Sequence, residues 1–168
     1  MLFNSLEFIL VFLPVVFLVY FGLNRIRLAV AGKSWLVLAS LAFYAWWNVA
    51  YLPLILVSIL VNYVVGNALA RRASGATGDA IKAEWLLAAG VIFDLGLLAY
   101  YKYAGFIWDN FGRLFDTSPV SLDIVLPLAI CFFTFTQIAY LVDSYRGRAK
   151  EYDLLNYTLF VTFFPHLI

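Results

Sequence analysis

The sequence predicts an all-α protein, a polytopic bundle of transmembrane helices, and its composition supports this class. Hydrophobic residues make up 65% of the 168 residues and charged residues only 12%, whereas soluble domains carry about 25% charged residues. A chain of this size folded in water would leave a large apolar surface exposed. The apolar residues also occur in long uncharged stretches, which is typical of segments that lie in lipid.

The first hydrophobic segment is predicted to be a retained membrane span and not a signal peptide. A helix needs about 20 apolar residues to cross a hydrocarbon core about 30 Å thick. This segment covers about residues 8–23 and contains Pro14, which neighbouring groups can accommodate inside a membrane helix. The N-terminus lacks the basic region and the small-residue cleavage site that a signal peptide requires.

The next uncharged stretch is too long for one pass. No charge occurs from residue 34 to residue 70, and a single helix of that length would measure about 55 Å. Two passes at about residues 34–48 and 51–70 fit the membrane better. The predicted bend begins near Trp46, because tryptophan suits the headgroup level, and ends at Pro53, because proline suits a first helical turn.

Three further segments complete a predicted topology of five spans and an incomplete sixth. The fourth span covers about residues 85–101 and the fifth about 124–142. Between them, residues 106–115 have an amphipathic pattern that fits an in-plane helix at the membrane interface or a loop packed on the bundle. The last segment, residues 154–168, would measure only about 22 Å as a helix, so we expect the sequence to stop inside its sixth span.

The basic residues predict the orientation of the chain. If the N-terminus lies outside, nine of the eleven Lys and Arg residues face the cytoplasm, and only Lys102 and Arg113 face out. Basic residues concentrate on the cytoplasmic side of membrane proteins, so we expect a multi-pass protein with its N-terminus outside and membrane lipid as its surroundings. The net charge of +1 and the lack of a basic tract give no reason to expect a nucleic-acid partner.

Asp94 is the first candidate for a functional site. It lies near the middle of the fourth predicted span, where a carboxylate is costly unless it is paired or hydrated. Such an acid marks either a functional polar site or a hydrogen-bonded packing contact between helices. Two alternative classes of protein follow from these observations: a small proton- or ion-coupled transport protein that uses Asp94, and a non-catalytic membrane scaffold subunit.

The fifth span carries the second group of candidates. Thr136, Tyr140 and Asp143 recur at the spacing that places residues on one face of a helix. Thr134 and Gln137 lie beside that face. This group can line a buried polar path, but hydrogen bonding between helices, which commonly joins membrane bundles, is the favoured interpretation.

No complete catalytic constellation can be assembled from these residues. His166 is the only histidine, and a lone histidine near a membrane interface favours a structural role. Cys131 is the only cysteine, so an internal disulfide is excluded, and we expect it to act as a small apolar residue. No His and Cys residues have the spacing of metal ligands, and we expect no bound cofactor.

Six stretches of the sequence, taken in order, narrow the class of membrane protein. These are MLFNSLEFILVFLPVV, SWLVLASLAFYAWWN, ILVSILVNYVVG, LGLLAYYKYAGFI, LPLAICFFTFTQIAYLVDSYRG and FFPHLI. In this order they resemble the membrane-bound O-acyltransferase family, and most closely the branch that acetylates alginate and related extracellular polysaccharides in bacteria. Ala129 and Cys131 depart from the Gly and Ser that are usual there, and Asp94 stands where an amide or apolar residue is expected.

The resemblance implies that residues 1–168 are the N-terminal portion of a single membrane-embedded acyltransferase domain built around a tunnel. In that family a histidine of the C-terminal half promotes acyl transfer to a hydroxyl as a general base. We expect this histidine beyond Ile168, so no catalytic residue is assigned to this chain, which alone should be inactive. The resemblance further implies an acetyl donor, periplasmic acetylation partners, an exported polysaccharide and a location in the bacterial inner membrane.

Overall fold

The computed structural model describes residues 6, 8–73, 80–114, 130–148 and 153–163, and these ranges contain helices but no β-strand. The predicted all-α class is therefore confirmed for the described residues. The α-helices are α1 (Leu13–Arg25), α2 (Ala29–Trp47), α3 (Leu52–Ala73), α4 (Ala80–Leu114), α5 (Ile130–Tyr145) and α6 (Leu154–Thr162). A π-helical turn (Phe8–Phe12) precedes α1, and a 3₁₀ turn (Val49–Tyr51) precedes α3.

Three helices in the described ranges are long and apolar enough to cross a membrane. Their apolar windows are Ala29–Trp46, Val49–Arg72 and Lys82–Tyr103. The apolar helical stretch Leu10–Arg25 is shorter, and α5 has 16 residues. The predicted total of five spans and an incomplete sixth thus stays a prediction, and part of the fifth and sixth segments lies outside the described residues.

The helix interruption predicted between the second and third spans is confirmed. Helix α2 ends at Trp47, and Asn48 follows in an extended conformation with φ −161°. The Asn48 side chain accepts a hydrogen bond of 2.9 Å from the backbone N–H of Ala50, which starts the 3₁₀ turn. Pro53 is the second residue of α3, a position where its missing N–H removes no helical hydrogen bond.

Helix α4 corrects the prediction made for residues 106–115. It runs without interruption from Ala80 to Leu114 over 35 residues, a length of about 52 Å. Residues 106–114 therefore continue the helix of the fourth predicted span and form neither a separate in-plane helix nor a loop. The segment contains no proline, so no backbone donor is lost and the helical hydrogen bonds can continue.

The described fold divides into two compact units, and the boundary falls within α3. The first unit comprises residues 1–63 and 149–168, and the second comprises residues 64–148. In the first unit α1 and α6 both pack on α2. The Trp35 indole N–H donates to the carbonyl oxygen of Val16 at 3.2 Å, which joins α2 to α1.

The start of α1 resolves how Pro14 fits within the first hydrophobic segment. Pro14 is the second residue of α1 and lies two residues after the π-helical turn Phe8–Phe12. Phe12 is itself helical, with φ −62° and ψ −52°, so the proline lies inside a continuous helical run. A local π-helical turn is one of the adjustments by which a membrane helix accommodates the hydrogen bond that proline removes. The ring of Phe8, in this turn, contacts the ring of Phe43 on α2 with 5.2 Å between centroids.

Candidate functional site

Helices α4 and α5 pack against each other in the second unit with opposite directions. The Tyr145 hydroxyl, at the end of α5, donates to Oε1 of Glu84, near the start of α4, at 3.5 Å. Further along α4, Gly90 lies so close to Leu141 that a Cβ added there would be 2.7 Å from the Leu141 Cδ1 atom. Residue numbers therefore rise along α4 as they fall along α5, which defines an antiparallel pair.

A glycine on α3 accommodates the aromatic ring of Tyr140. A Cβ added to Gly66 would clash with Cε1 of Tyr140 and would lie 2.7 Å from its Cζ and 2.8 Å from its hydroxyl oxygen. The tyrosine ring thus occupies the space that a side chain at this position would need. Close approach of this kind is a common use of glycine between membrane helices.

Helix α5 presents a buried face with a large polar content. Seven of its residues are buried, and they recur every three or four positions, which is the spacing of one helix face. The polar members of this face are Thr134, Gln137, Tyr140 and Ser144. Because polar side chains are costly inside an apolar bundle, a continuous polar row along one helix indicates hydrogen bonding or function.

Asp94 lies on the helix that faces this row. Its side chain is only 1% exposed, and it follows Gly90 by four residues, or about one helical turn. Gln137 precedes Leu141 by the same interval, so the antiparallel register of Gly90 and Leu141 brings Asp94 level with Gln137. A glutamine amide can donate to an ionised carboxylate or accept from a protonated one, so Gln137 suits either state of an acid at this level.

The structure revises which residues form the polar face predicted on the fifth span. Tyr140 is buried as a member of that face, but Asp143 is exposed. Thr136 is half-buried, and its hydroxyl donates to the carbonyl oxygens of Phe132 at 3.0 Å and Phe133 at 2.9 Å within the same helix. Thr136 and Asp143 therefore do not belong to the polar row.

Gln137 and Thr134, noted beside the predicted face, are the residues that line the row with Tyr140. Ser144 was missed by the sequence analysis, although its spacing of four residues from Tyr140 placed it on the same face. Its hydroxyl is fully buried and makes no hydrogen bond within the described part of the chain. A buried hydroxyl of this kind is available to a partner that the described residues do not supply.

The remaining candidates do not add to this site. His166 lies outside the described residues. Within the described ranges, no group of three or more His, Cys, Asp and Glu residues is arranged to hold a metal ion. Cys131 is exposed on α5, on the side away from the polar row.

Two buried polar residues of the first unit, Asn62 and Thr162, bond to the preceding turn of their own helix. The Asn62 side-chain amide donates to the carbonyl oxygen of Ser58 at 3.1 Å, and the Thr162 hydroxyl donates to that of Thr158 at 2.7 Å. Bonds to the preceding helical turn are a common way to satisfy polar groups on membrane helices. These residues therefore indicate packing more than chemistry.

A helical chain with several membrane-length apolar helices and a polar row in its interior is a polytopic membrane protein with a candidate polar site. The chain is 41% identical to the peptidoglycan O-acetyltransferase of Helicobacter pylori over 194 aligned positions, which cover all of this chain and 36% of the relative. It is 38% identical over 176 positions to the probable alginate O-acetylase AlgI of Pseudomonas aeruginosa, and 36% identical over 174 positions to that of Azotobacter vinelandii.

These alignments show that the chain belongs to the membrane-bound O-acyltransferase family, in its acetyltransferase branch. The alignments with the two alginate O-acetylases likewise cover all of this chain, with 32% and 33% of the relatives. The chain thus spans about a third of the length of the curated relatives that it matches. No family profile and no solved structure matches it. The relatives are named as acetyl-transferring proteins, which does not favour the transport alternative.

Proposed function

We propose that the protein of which this chain forms a part transfers acetyl groups to hydroxyl groups of an exported glycan. The observation that carries this proposal is the alignment of the whole chain with relatives named for the O-acetylation of peptidoglycan and of alginate. These two acceptors share one chemistry, a sugar hydroxyl on a polymer outside the cytoplasm. An alginate-type polysaccharide is the acceptor that we favour.

The reaction requires a base that removes the hydroxyl proton as the oxygen attacks the acetyl carbonyl. We assign this role to a histidine in the part of the relatives' length that this chain does not span, and not to His166. We also propose that the complete protein uses an acetyl donor and works with periplasmic acetylation partners. We expect the 168 residues alone to be inactive.

We further propose that Asp94 on α4 and the polar row of α5 support the transfer reaction. The burial of Asp94 and its register with Gln137 support this role, because an acid inside a membrane protein is retained at a cost. Tyr140 and Ser144 extend the polar row along α5. In this arrangement Asp94 is a positioning residue: it orients groups of the acyl path and does not touch the reacting atoms.

The test expresses the complete reading frame that contains this chain in cells that lack their own O-acetyltransferase. Ester-linked acetate on the exported polysaccharide is then measured, with residues 1–168 alone for comparison. Acetylation by the complete frame and none by residues 1–168 supports the proposal. Acetylation by residues 1–168 alone contradicts the assignment of catalysis to the unspanned part.

Two matched variants test the polar row in the same assay. Asp94→Asn keeps the size and hydrogen bonding of the side chain and removes its charged form. We expect about a tenfold or greater loss of acetylation at unchanged protein abundance. Asp143→Asn makes the same chemical change at an exposed position of α5 and should leave acetylation unchanged. If the two variants acetylate the polysaccharide equally well, Asp94 has only a packing role.

We propose a location in the bacterial inner membrane with the N-terminus outside, because nine of eleven basic residues then face the cytoplasm. The test places single cysteines at Ser74 and Thr117 in a Cys131→Ala background and labels intact cells with a reagent that does not cross the membrane. We expect only the cysteine at position 117 to react. Labelling at both positions contradicts the orientation.

A further inference from the structure

The turn between α1 and α2 keeps an arginine in a conformation that favours glycine. The N–H of Leu28 donates to the carbonyl of Leu23, and the N–H of Arg27 donates to that of Asn24, both at 3.0 Å. This Schellman turn requires a left-handed residue, and Arg27 supplies it with φ 61°. The same pair of bonds ends α5, where the left-handed residue is Gly147 with φ 67°. A side chain is disfavoured in this conformation, so the arginine calls for an explanation.

Basic side chains surround this turn with little opposing charge. Arg25 and Arg27 are exposed, and Lys33, in the first turns of α2, is half-buried. The sequence contains no Asp or Glu from residue 8 to residue 78. On α6, which also packs on α2, the exposed Asp153 precedes the first turn. The cations therefore outnumber the acid among the described residues of these three helices, which favours an anionic ligand.

The Lys33 ammonium is held in place by a neutral partner. Its Nζ donates to Oδ1 of Asn156 on α6 at 2.9 Å. An amide oxygen orients the ammonium but leaves its charge in full, and this bond uses one of three donor hydrogens. The half-buried stem of Lys33 covers apolar surface while its charged end stays available to an anion.

Apolar side chains that alternate with the cations distinguish a lipid from a soluble anion. Ile26 is 64% exposed, Leu28 51% and Val30 70%. A soluble phosphate would leave these side chains in water, whereas the acyl chains of a phospholipid would cover them. Helix α2, which follows the turn, is long and apolar enough to cross a membrane, so we expect the turn to lie where headgroups meet the hydrocarbon core.

We propose that the α1–α2 turn binds the headgroup of an anionic phospholipid, with Arg25, Arg27 and Lys33 contacting its phosphate. A guanidinium group pairs with phosphate oxygens through two parallel hydrogen bonds, and the ammonium adds a compact positive charge. The exposed apolar side chains of the same turn lie against the acyl chains. The site concerns lipid binding alone and does not depend on the proposed acetyl transfer.

The test measures which lipids remain bound to the 168-residue chain. The chain is placed in vesicles of phosphatidylcholine and phosphatidylglycerol in equal amounts and extracted in mild detergent, and bound lipids are counted by mass spectrometry. We expect enrichment of phosphatidylglycerol, and a loss of about fivefold per cation removed, or about 25-fold for Arg25→Gln/Arg27→Gln. The matched control is Arg146→Gln/Arg148→Gln, which alters the turn after α5 beside the exposed Asp143 and should retain the enrichment.

Two further variants separate charge from folding. Arg27→Gly relieves the backbone and should fold at least as well as the parent, yet it should lose about fivefold of the enrichment. Arg25→Lys/Arg27→Lys keeps both charges but loses the paired hydrogen bonds of the guanidinium groups, so it should retain more of the enrichment than Arg25→Gln/Arg27→Gln and less than the parent. Equal losses in the two Gln double variants would show a response to total charge and overturn the proposal. Displacement of the lipid by an equal concentration of glycerol phosphate would also overturn it, because the ligand would then be a soluble phosphate.

Discussion

Helices α1 and α5 are similarly apolar, but they bury very different numbers of side chains. Val16 is the only buried residue of α1, whereas α5 buries seven of its sixteen residues. The polar residues of α5 lie mostly on its buried face, as Thr134, Gln137, Tyr140 and Ser144 do. Lipid tails are as apolar as a protein core, so hydrophobicity does not distinguish a packed face from a lipid-facing one. The positions of the polar residues do.

The exposed residues of α1 support the same conclusion. Five of its large apolar side chains are exposed, among them Leu18 at 73% and Phe21 at 61%. On α5 the most exposed large apolar residue is Phe135 at 71%, which follows the buried Thr134 in the sequence but lies on the opposite side of the helix from the buried face. A helix with polar residues on one side and apolar residues on the other thus turns its polar side inward in a membrane, the reverse of a helix in water.

The largest effect predicted from this comparison is at the glycine beneath Tyr140. A Cβ on Gly66 would clash with the Tyr140 ring, whereas a Cβ on Gly22 of α1 would meet no atom within 4 Å. We expect Gly66→Ala to lower the free energy of unfolding by about 2–3 kcal/mol. Gly22→Ala should raise it by about 0.5–1 kcal/mol, because alanine is the better helix former. Unfolding in sodium dodecyl sulfate, followed by circular dichroism, measures both, and equal stability of the two variants would contradict the close packing of α5.

A smaller effect is expected where the neighbouring side chain can move. A Cβ on Gly90 would lie 2.7 Å from Cδ1 of Leu141 and 3.3 Å from Cγ1 of Val65. The end of a leucine side chain can rotate, so Gly90→Ala should cost about 1 kcal/mol. Adding Leu141→Ala should make the pair less destabilising than the sum of the single changes, since the two groups share one space. Gly96→Ala, which meets no atom within 4 Å, is the control. Strict additivity would show that the two helices do not touch at this level.

An effect of similar size is expected at the turns that end α1 and α5. Arg27 and Gly147 both adopt the left-handed conformation. Gly147→Ala should therefore destabilise the protein by about 1 kcal/mol, and Arg27→Gly should stabilise it by up to about 1 kcal/mol. The same unfolding titration measures both changes. A change of equal sign in the two variants would contradict the assigned turn geometry.

The sequence predicted those helix boundaries that depend on strong local signals. The interruption between α2 and α3 was predicted from the long uncharged stretch, with Trp46 and Pro53 at its ends, and it is confirmed. The prediction of a separate element at residues 106–115 was wrong, because an amphipathic pattern shows that a segment is helical but not where the helix begins. The left-handed Arg27 gave no signal, because glycine normally marks such a turn.

The candidate site was predictable in part. Asp94 was found because a charge inside a span is rare, and the structure buries it. Helical spacing grouped Tyr140 with Asp143, but spacing alone does not locate the centre of the buried face. Asp143 is exposed although the next residue, Ser144, is buried, because adjacent residues lie about 100° apart around a helix. Ser144 was missed because a small hydroxyl residue near a helix end usually faces solvent. Asp94 and Gln137 could not be predicted to lie at the same level, because this depends on the register between α4 and α5, which the sequence of neither helix reveals.

Oxygen accessibility of spin labels tests most directly the claim that α5 packs through its polar face while α1 faces lipid. Single cysteines replace Leu18, Phe135 or Gln137 in a Cys131→Ala background, and each labelled protein is reconstituted in vesicles for electron paramagnetic resonance. We predict high oxygen accessibility at Leu18 and Phe135, which are 73% and 71% exposed, and low accessibility at the fully buried Gln137. Accessibility at Gln137 as high as at Phe135 would contradict the account.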